Sequence, residues 1–165
     1  MTATISEHPG EDQARRLESA SEQIAALLRQ PDVARRLRSA GGEDEWSALQ
    51  IMGHLVEMIP YWLNHCRALS AATAEPPVFG RTLDAPERLA GVEHGETGDL
   101  AALLDRLNEE VQAAARAIRA MSPAERSKTG VHIRRGEVTV ADVVEIFIVA
   151  HIEDHLAQMR AALGR

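Results

Sequence analysis

Apolar residues recur at helical spacing through most of this chain. From about Glu11 to Arg29, Leu17, Ile24, Ala25 and Leu28 share one face of a helix, and Pro31 ends the run. A short helical piece around Asp32 to Arg38 can follow before Gly41-Gly42 breaks the pattern. The second helix has a marked start. Ser47-Ala48-Leu49-Gln50 reads as a capping box, with the Ser47 hydroxyl and the Gln50 side chain each satisfying a backbone N–H of the first turn. Trp46, just before the cap, is placed to pack on Ile51 as a hydrophobic staple. This helix runs to about Ala71, with His54, Met58, Tyr61 and His65 on one stripe and Pro60 inside it, where a kink or bulge near His54 is expected.

The pattern then changes. Residues Ala72 to Thr97 carry Pro76, Pro77, Pro86, Gly80, Gly91 and Gly95, and they read as a long irregular connection. Periodicity returns from Asp99 to Met121, where Leu100, Leu103, Leu104, Leu107, Val111 and Ile118 face inward, and Ser122-Pro123 stops the helix. Val131 to Val138 reads as a short hairpin about Arg134-Arg135-Gly136. Thr139 then caps a fourth helix, with Asp142 in the capping-box position and Val138 and Val143 as a staple. Between Val143 and Ile152 only Glu145 and His151 are polar, so this helix is surrounded by its neighbours. The expected class is all-α: a four-helix bundle, one domain over residues 1–165 with a flexible tail at 1–10, a long loop between helices two and three, and a small hairpin before helix four.

Composition narrows the function more than the fold. The net charge of -7 argues against a nucleic-acid surface, which needs a clustered positive field. No stretch is long and apolar enough to suggest a membrane span, and the polar segment from Met1 to Gln13 lacks the pattern of a signal peptide. The single cysteine, Cys66, allows neither an intrachain disulfide nor a cysteine zinc cluster, and it suits the reducing cytoplasm expected as the location.

The chemistry lies in histidines. His151 and His155 stand four residues apart on the most apolar helix, which puts both imidazoles on one face, one turn apart. Buried imidazoles need polar partners, and one divalent metal would satisfy both. The plainer alternative is two histidines bonded to carboxylates or carbonyls in a tight helix packing. His54 bears on the choice, since it also sits on an apolar stripe, between Ile51 and Met58. Three histidines meeting across a core would leave a metal with open positions, as in catalytic sites.

These features resemble a known family. Trp46-Ser47, His54 seven residues after the serine, the run from Thr129 to Val140, and His151-x-x-x-His155-Leu156-Ala157-Gln158-Met159 are similar to the DinB/YfiT-like proteins. The matching segments are Trp46 to Tyr61 and Thr129 to Met159. The first helix and the middle connection match only in length and character. The resemblance implies a bundle in a variant up-down-down-up order, a divalent metal held by His54, His151 and His155, and a homodimer. Imidazole ligands suit zinc or nickel, with iron also possible. Family activities include transferases and isomerases that use a low-molecular-weight thiol, so such a thiol is a possible co-substrate.

Other residues carry weaker signals. Glu57, one turn from His54, could act as a general base or orient an imidazole, or it could simply be solvated or salt-bridged. Glu153 and Asp154 fall off the histidine face and are expected in solvent. Met58 and Tyr61 on the His54 stripe, and Arg134 at the hairpin tip, are candidates for a substrate pocket; Arg134 and Arg135 could hold a carboxylate if the hairpin borders it. His65 and Cys66 are adjacent on a helix and point apart, so they make no nucleophile pair. His8, His94 and His132 are expected in solvated loops or tails. The leading expectation is a metal-dependent enzyme on a small molecule, a thiol-dependent S-transferase or isomerase or a hydrolase. The alternative is a dimeric bundle that binds metal or ligand without turnover.

Overall fold

The computed structural model describes residues 8–42 and 45–165. Four long helical segments make the bundle: α1 (Glu11–Leu28), α2 (Ala48–Ala71), α4 (Leu100–Ala120) and a last run composed of α6 (Val140–Val143), a π-helical segment (Val144–Val149) and α7 (Ala150–Ala162). Three shorter helical pieces punctuate them: a 3-10 turn (Pro31–Arg36), α3 (Pro86–Thr97) and α5 (Pro123–Arg126). Helix α1 packs against α4 and the last run, and so does α2, which sets α1 and α2 at opposite corners. Their facing sides meet in one connected core that includes Leu17, Ile24, Ile51, Leu55, Leu107, Ile118, Ile148 and Ile152.

The predicted caps are formed. The Gln50 N–H donates to Ser47 Oγ at 3.2 Å, and the Ser47 N–H to Gln50 Oε1 at 2.8 Å. At the last run the Asp142 N–H donates to Thr139 Oγ1 at 3.0 Å, and the Thr139 N–H to Asp142 Oδ2 at 2.9 Å. Each box anchors the start of a helix that carries site histidines. Helix α2 runs unbroken through Pro60. The expected tail falls mostly outside the described residues. At its described end Gly10 is buried and caps α1, and its N–H donates to His8 Nδ1 at 3.1 Å.

The stretch 72–97 is not an irregular loop. It contains β1 (Val78–Phe79), which pairs parallel to β2 (Thr129–His132), itself antiparallel to β3 (Gly136–Thr139). It also contains α3, whose glycines are contact points rather than breaks. A Cβ built on Gly95 would stand 2.1 Å from the Leu49 carbonyl oxygen, and one on Gly53 would stand 2.2 Å from that of Gly91. Three glycines thus let the α2 and α3 backbones touch, the close approach that only a missing side chain allows. The hairpin turns at Gly136, which has φ +77°.

The last helix departs from regular α geometry just before its histidines. Val144–Val149 adopts π-helical hydrogen bonding, a wide turn that recurs at functional sites. Arg16 of α1 braces this region, donating to Glu145 Oε2 at 3.1 Å and to Glu153 Oε1 at 2.6 Å. Glu153, expected in solvent, is therefore tied across to α1.

Candidate metal centre

Two capped helices bring His54, His151 and His155 to one point. Each offers one ring nitrogen such that these atoms all lie within 4.8 Å of one another. His54 Nε2 and His151 Nε2 are 3.4 Å apart. Two nitrogens bound to one ion at about 2.1 Å stand about 3.4 Å apart at the tetrahedral angle, so this pair already has a metal-bridged separation. Two rings are aimed by hydrogen bonds on their far side. His151 Nδ1 lies 3.3 Å from the Phe147 carbonyl, which belongs to the π segment, and His155 Nδ1 lies 2.8 Å from Gln158 Oε1. Such outer contacts fix the tautomer and turn Nε2 toward the shared point. His155 Nε2 and His54 Nδ1 are buried without any hydrogen-bond partner among the described residues. A buried nitrogen with no partner is costly, and an ion at the shared point would relieve that of His155.

Burial also sets the charge state. It is the main reason that His54 is lowered to about 2 and His151 to about 4, the neighbouring histidines adding repulsion. His155 is lowered as well, again chiefly by burial. All three are neutral at pH 7, the form that ligates a metal. Among the described residues no further histidine, cysteine or carboxylate joins the group.

His54 and His151 form the floor of a cavity of about 290 Å³. Its apolar lining is Trp62, Ile146, Phe147 and Leu83, and its charged lining is Arg81, Arg88, Arg134, Arg135 and Asp154. The cavity is assembled from α2, the segment before α3, the hairpin tip and the π segment. Trp46 adds an aromatic flank, its ring centroid 5.1 Å from that of His54 and stacked with His155 at 6.2 Å. Its place before the cap, which marks a staple, gives no sign of this contact with two site histidines.

The other residues singled out in the sequence are distributed as follows. Both Glu57 oxygens accept from Arg81, whose guanidinium also lies 3.8 Å above the Tyr61 ring. Glu57 is thus the salt-bridged glutamate of the alternative reading, and it touches none of the three histidines. Tyr61 is half-buried against Arg81 and Trp62 and does not border the cavity. Met58 is wholly buried in the core. Arg134 and Asp154 border the cavity. His65 packs on the Tyr61 ring, and Cys66 is fully buried, which pushes its thiol up to about 12.

Two expectations about histidines are corrected. His94 lies exposed on α3 rather than in a loop. His132 is not solvated: only 2% of it is exposed, and it sits among Trp62, Phe79 and Phe147, stacked on the last at 4.7 Å. Strand β2 turns Gly130 and His132 inward and Val131 outward, so the hairpin buries its polar-looking positions. No periodicity in the sequence gives that choice. The residues that sequence reasoning missed are Trp46, Arg81 and Arg88. The last two were hidden in a stretch read as loop, and their only signal was positive charge in an acidic chain.

Comparison with known proteins agrees with this architecture. The chain matches a solved structure described as YfiT from Bacillus subtilis, "a probable metal-dependent hydrolase with an unusual four-helix bundle topology". The two share 16% identity with a TM-score of 0.77, over 98% of this chain and 90% of that one, a likeness of fold. No curated protein matches the sequence. The profile of the DinB superfamily matches residues 11–159, the whole bundle with all three histidines, and the chain belongs to that superfamily.

Proposed function

We propose that this protein binds a divalent metal ion through His54, His151 and His155 and is an enzyme acting on a small molecule held in the adjoining cavity. The observation that carries the reading is the cluster itself: three neutral, largely buried imidazoles converging within 4.8 Å with two ring nitrogens unsatisfied. The absence of a fourth protein ligand among the described residues, and the cavity directly above His54 and His151, favour an enzyme over a closed metal store. A bound metal supplies Lewis acidity and lowers the pKa of a water or thiol beside it. Imidazole ligands favour zinc or nickel, with iron also accommodated.

The chain's own residues limit the reaction. Cys66 is buried and held as a thiol, so a transfer of sulfur would need an external low-molecular-weight thiol. Hydrolysis needs only water, and among the described residues Asp154 is the one carboxylate bordering the cavity that could accept its proton. The description of YfiT as a probable metal-dependent hydrolase supports the hydrolytic arm.

The test is metal content of protein purified without an affinity tag, together with thermal stability with zinc, nickel or a chelator. A metal at a hundredfold excess over its Kd stabilises the folded state by about 2.7 kcal/mol. For a chain of this size that is a rise in Tm of roughly 5–11 °C. His151→Ala should remove the metal and the rise together. Absence of bound metal and of any shift with either ion would defeat the proposal.

A further inference from the structure

The cavity beside the histidines carries a charge pattern that the metal reading does not explain. The chain as a whole is acidic, with a formal net charge of -7. The cavity is the reverse: four arginines border it and one carboxylate, Asp154. Arg81 is neutralised by Glu57, with which it forms a paired, two-oxygen contact. Arg88, Arg134 and Arg135 have no carboxylate within ion-pair distance among the described residues. Arg88 is the most telling of the three. It is half-buried on α3, its Nη1 donates to the Leu83 carbonyl at 2.6 Å, and its guanidinium lies 5.0 Å above the Trp46 ring. Burial, and then repulsion from Arg81, hold its pKa below the ordinary arginine value. A guanidinium kept partly out of water, with most of its donors unused, is a site prepared for an anion.

Arg135 extends the same field from the hairpin tip, where its guanidinium stands 5.5 Å above the Phe147 ring. Phe147 and Trp62 stack on each other at 4.3 Å and supply a flat apolar surface to the same cavity. His54 and His151 line that cavity as well.

We infer that the substrate is a small organic anion, a carboxylate or phosphate on an apolar body, whose charged end is gripped by Arg88, Arg134 and Arg135 while its body lies on Trp62 and Phe147. The inference rests on the proposed metal enzyme for what happens to the substrate, but not for the grip itself. Planar guanidinium groups recognise both oxyanions, and the cavity volume of about 290 Å³ suits a molecule no larger than a substituted aromatic acid. The anion end, held by these cations, would set which bond of the substrate faces the histidines.

The experiment is calorimetric titration of metal-free and zinc-loaded protein with benzoate, phenyl phosphate and neutral benzamide at fixed ionic strength. At least one anion should bind ten times more tightly than benzamide, already in the metal-free protein, and benzoate against phenyl phosphate identifies the oxyanion. Arg88→Gln should weaken that binding about tenfold while zinc stoichiometry stays that of the unmodified protein. The double variant R134Q/R135Q, confined to an exposed turn, should also weaken it and should fold normally. Equal binding of benzamide and both anions, no binding of any probe, or unchanged anion binding in the arginine variants would overturn the inference. Anion binding by a protein that takes up neither zinc nor nickel would overturn the metal reading instead, so the two failures are separable.

Discussion

Replacing Gly95 by alanine sets two physical effects against each other. Glycine in a helix interior costs about 0.8–1 kcal/mol relative to alanine, so helix propensity alone favours the substitution. The packing opposes it. The new Cβ would stand 2.1 Å from the Leu49 carbonyl oxygen, 2.7 Å from Gly53 N and 2.8 Å from Gly53 Cα, where ordinary contact begins at 3.4 Å. Every obstructing atom is backbone of α2, so no rotamer change makes room, and the helices must separate by about 1.3 Å (3.4 less 2.1). Overpacking costs about 1–3 kcal/mol, and rigid backbone on both sides places this case at the upper end. The expected net loss is about 2 kcal/mol after the propensity gain, a fall in Tm of roughly 4–8 °C for a chain of this size. Ala90→Gly, at an exposed position of the same helix, is the control and should cost about 1 kcal/mol from propensity alone. Thermal unfolding of the two variants is the assay. Separation of α3 should also lift Arg88 from Trp46 and weaken anion binding. A Gly95→Ala protein as stable as the parent, or more stable, would refute the close helix contact.

Two further outcomes follow from the buried ionisable groups. In the metal-free protein burial lowers all three histidines from the ordinary value of 6.5, His54 to about 2 and His151 to about 4, so the unfolded chain binds protons first. Stability is therefore fully present above about pH 6.5 and is lost as pH falls toward 4, by up to about 1.4 kcal/mol per pH unit for each histidine. Glu11 and Glu18, lowered mainly by their hydrogen bonds to Arg119, contribute their loss only at lower pH. A Tm unchanged between pH 7 and pH 5 would contradict the neutral cluster, and His151→Ala should flatten the curve. Cys66 is fully buried with its thiol pushed up to about 12, so a disulfide reagent at pH 8 should label native protein only as fast as it opens, and denatured protein at once. Rapid stoichiometric labelling of native protein would show that α2 is looser than described.

Beyond the resemblance, the sequence by itself determined the four bundle helices, the two capping boxes beneath the histidines, and the shared face of His151 and His155. These are local matters. A cap joins residues three apart, an amphipathic stripe repeats within a turn or two, and an i,i+4 pair shares a face wherever the helix lies. Only the tertiary structure decided the rest. Gly91 and Gly95 look like loop residues until Gly53 is seen against them, because α3 owes its existence to packing and not to propensity. The same holds for β1, which forms only when β2 is beside it, and for Trp46, which flanks histidines from two helices. His132 is buried because Trp62, Phe79 and Phe147 meet around it from three other elements. Arginines on α3 and on the hairpin become one field only when those segments fold over the same cavity. The shared face of His151 and His155 is thus written in helix periodicity, whereas His54 and the arginines meet it from segments far apart in the chain, whose contacts no local pattern records.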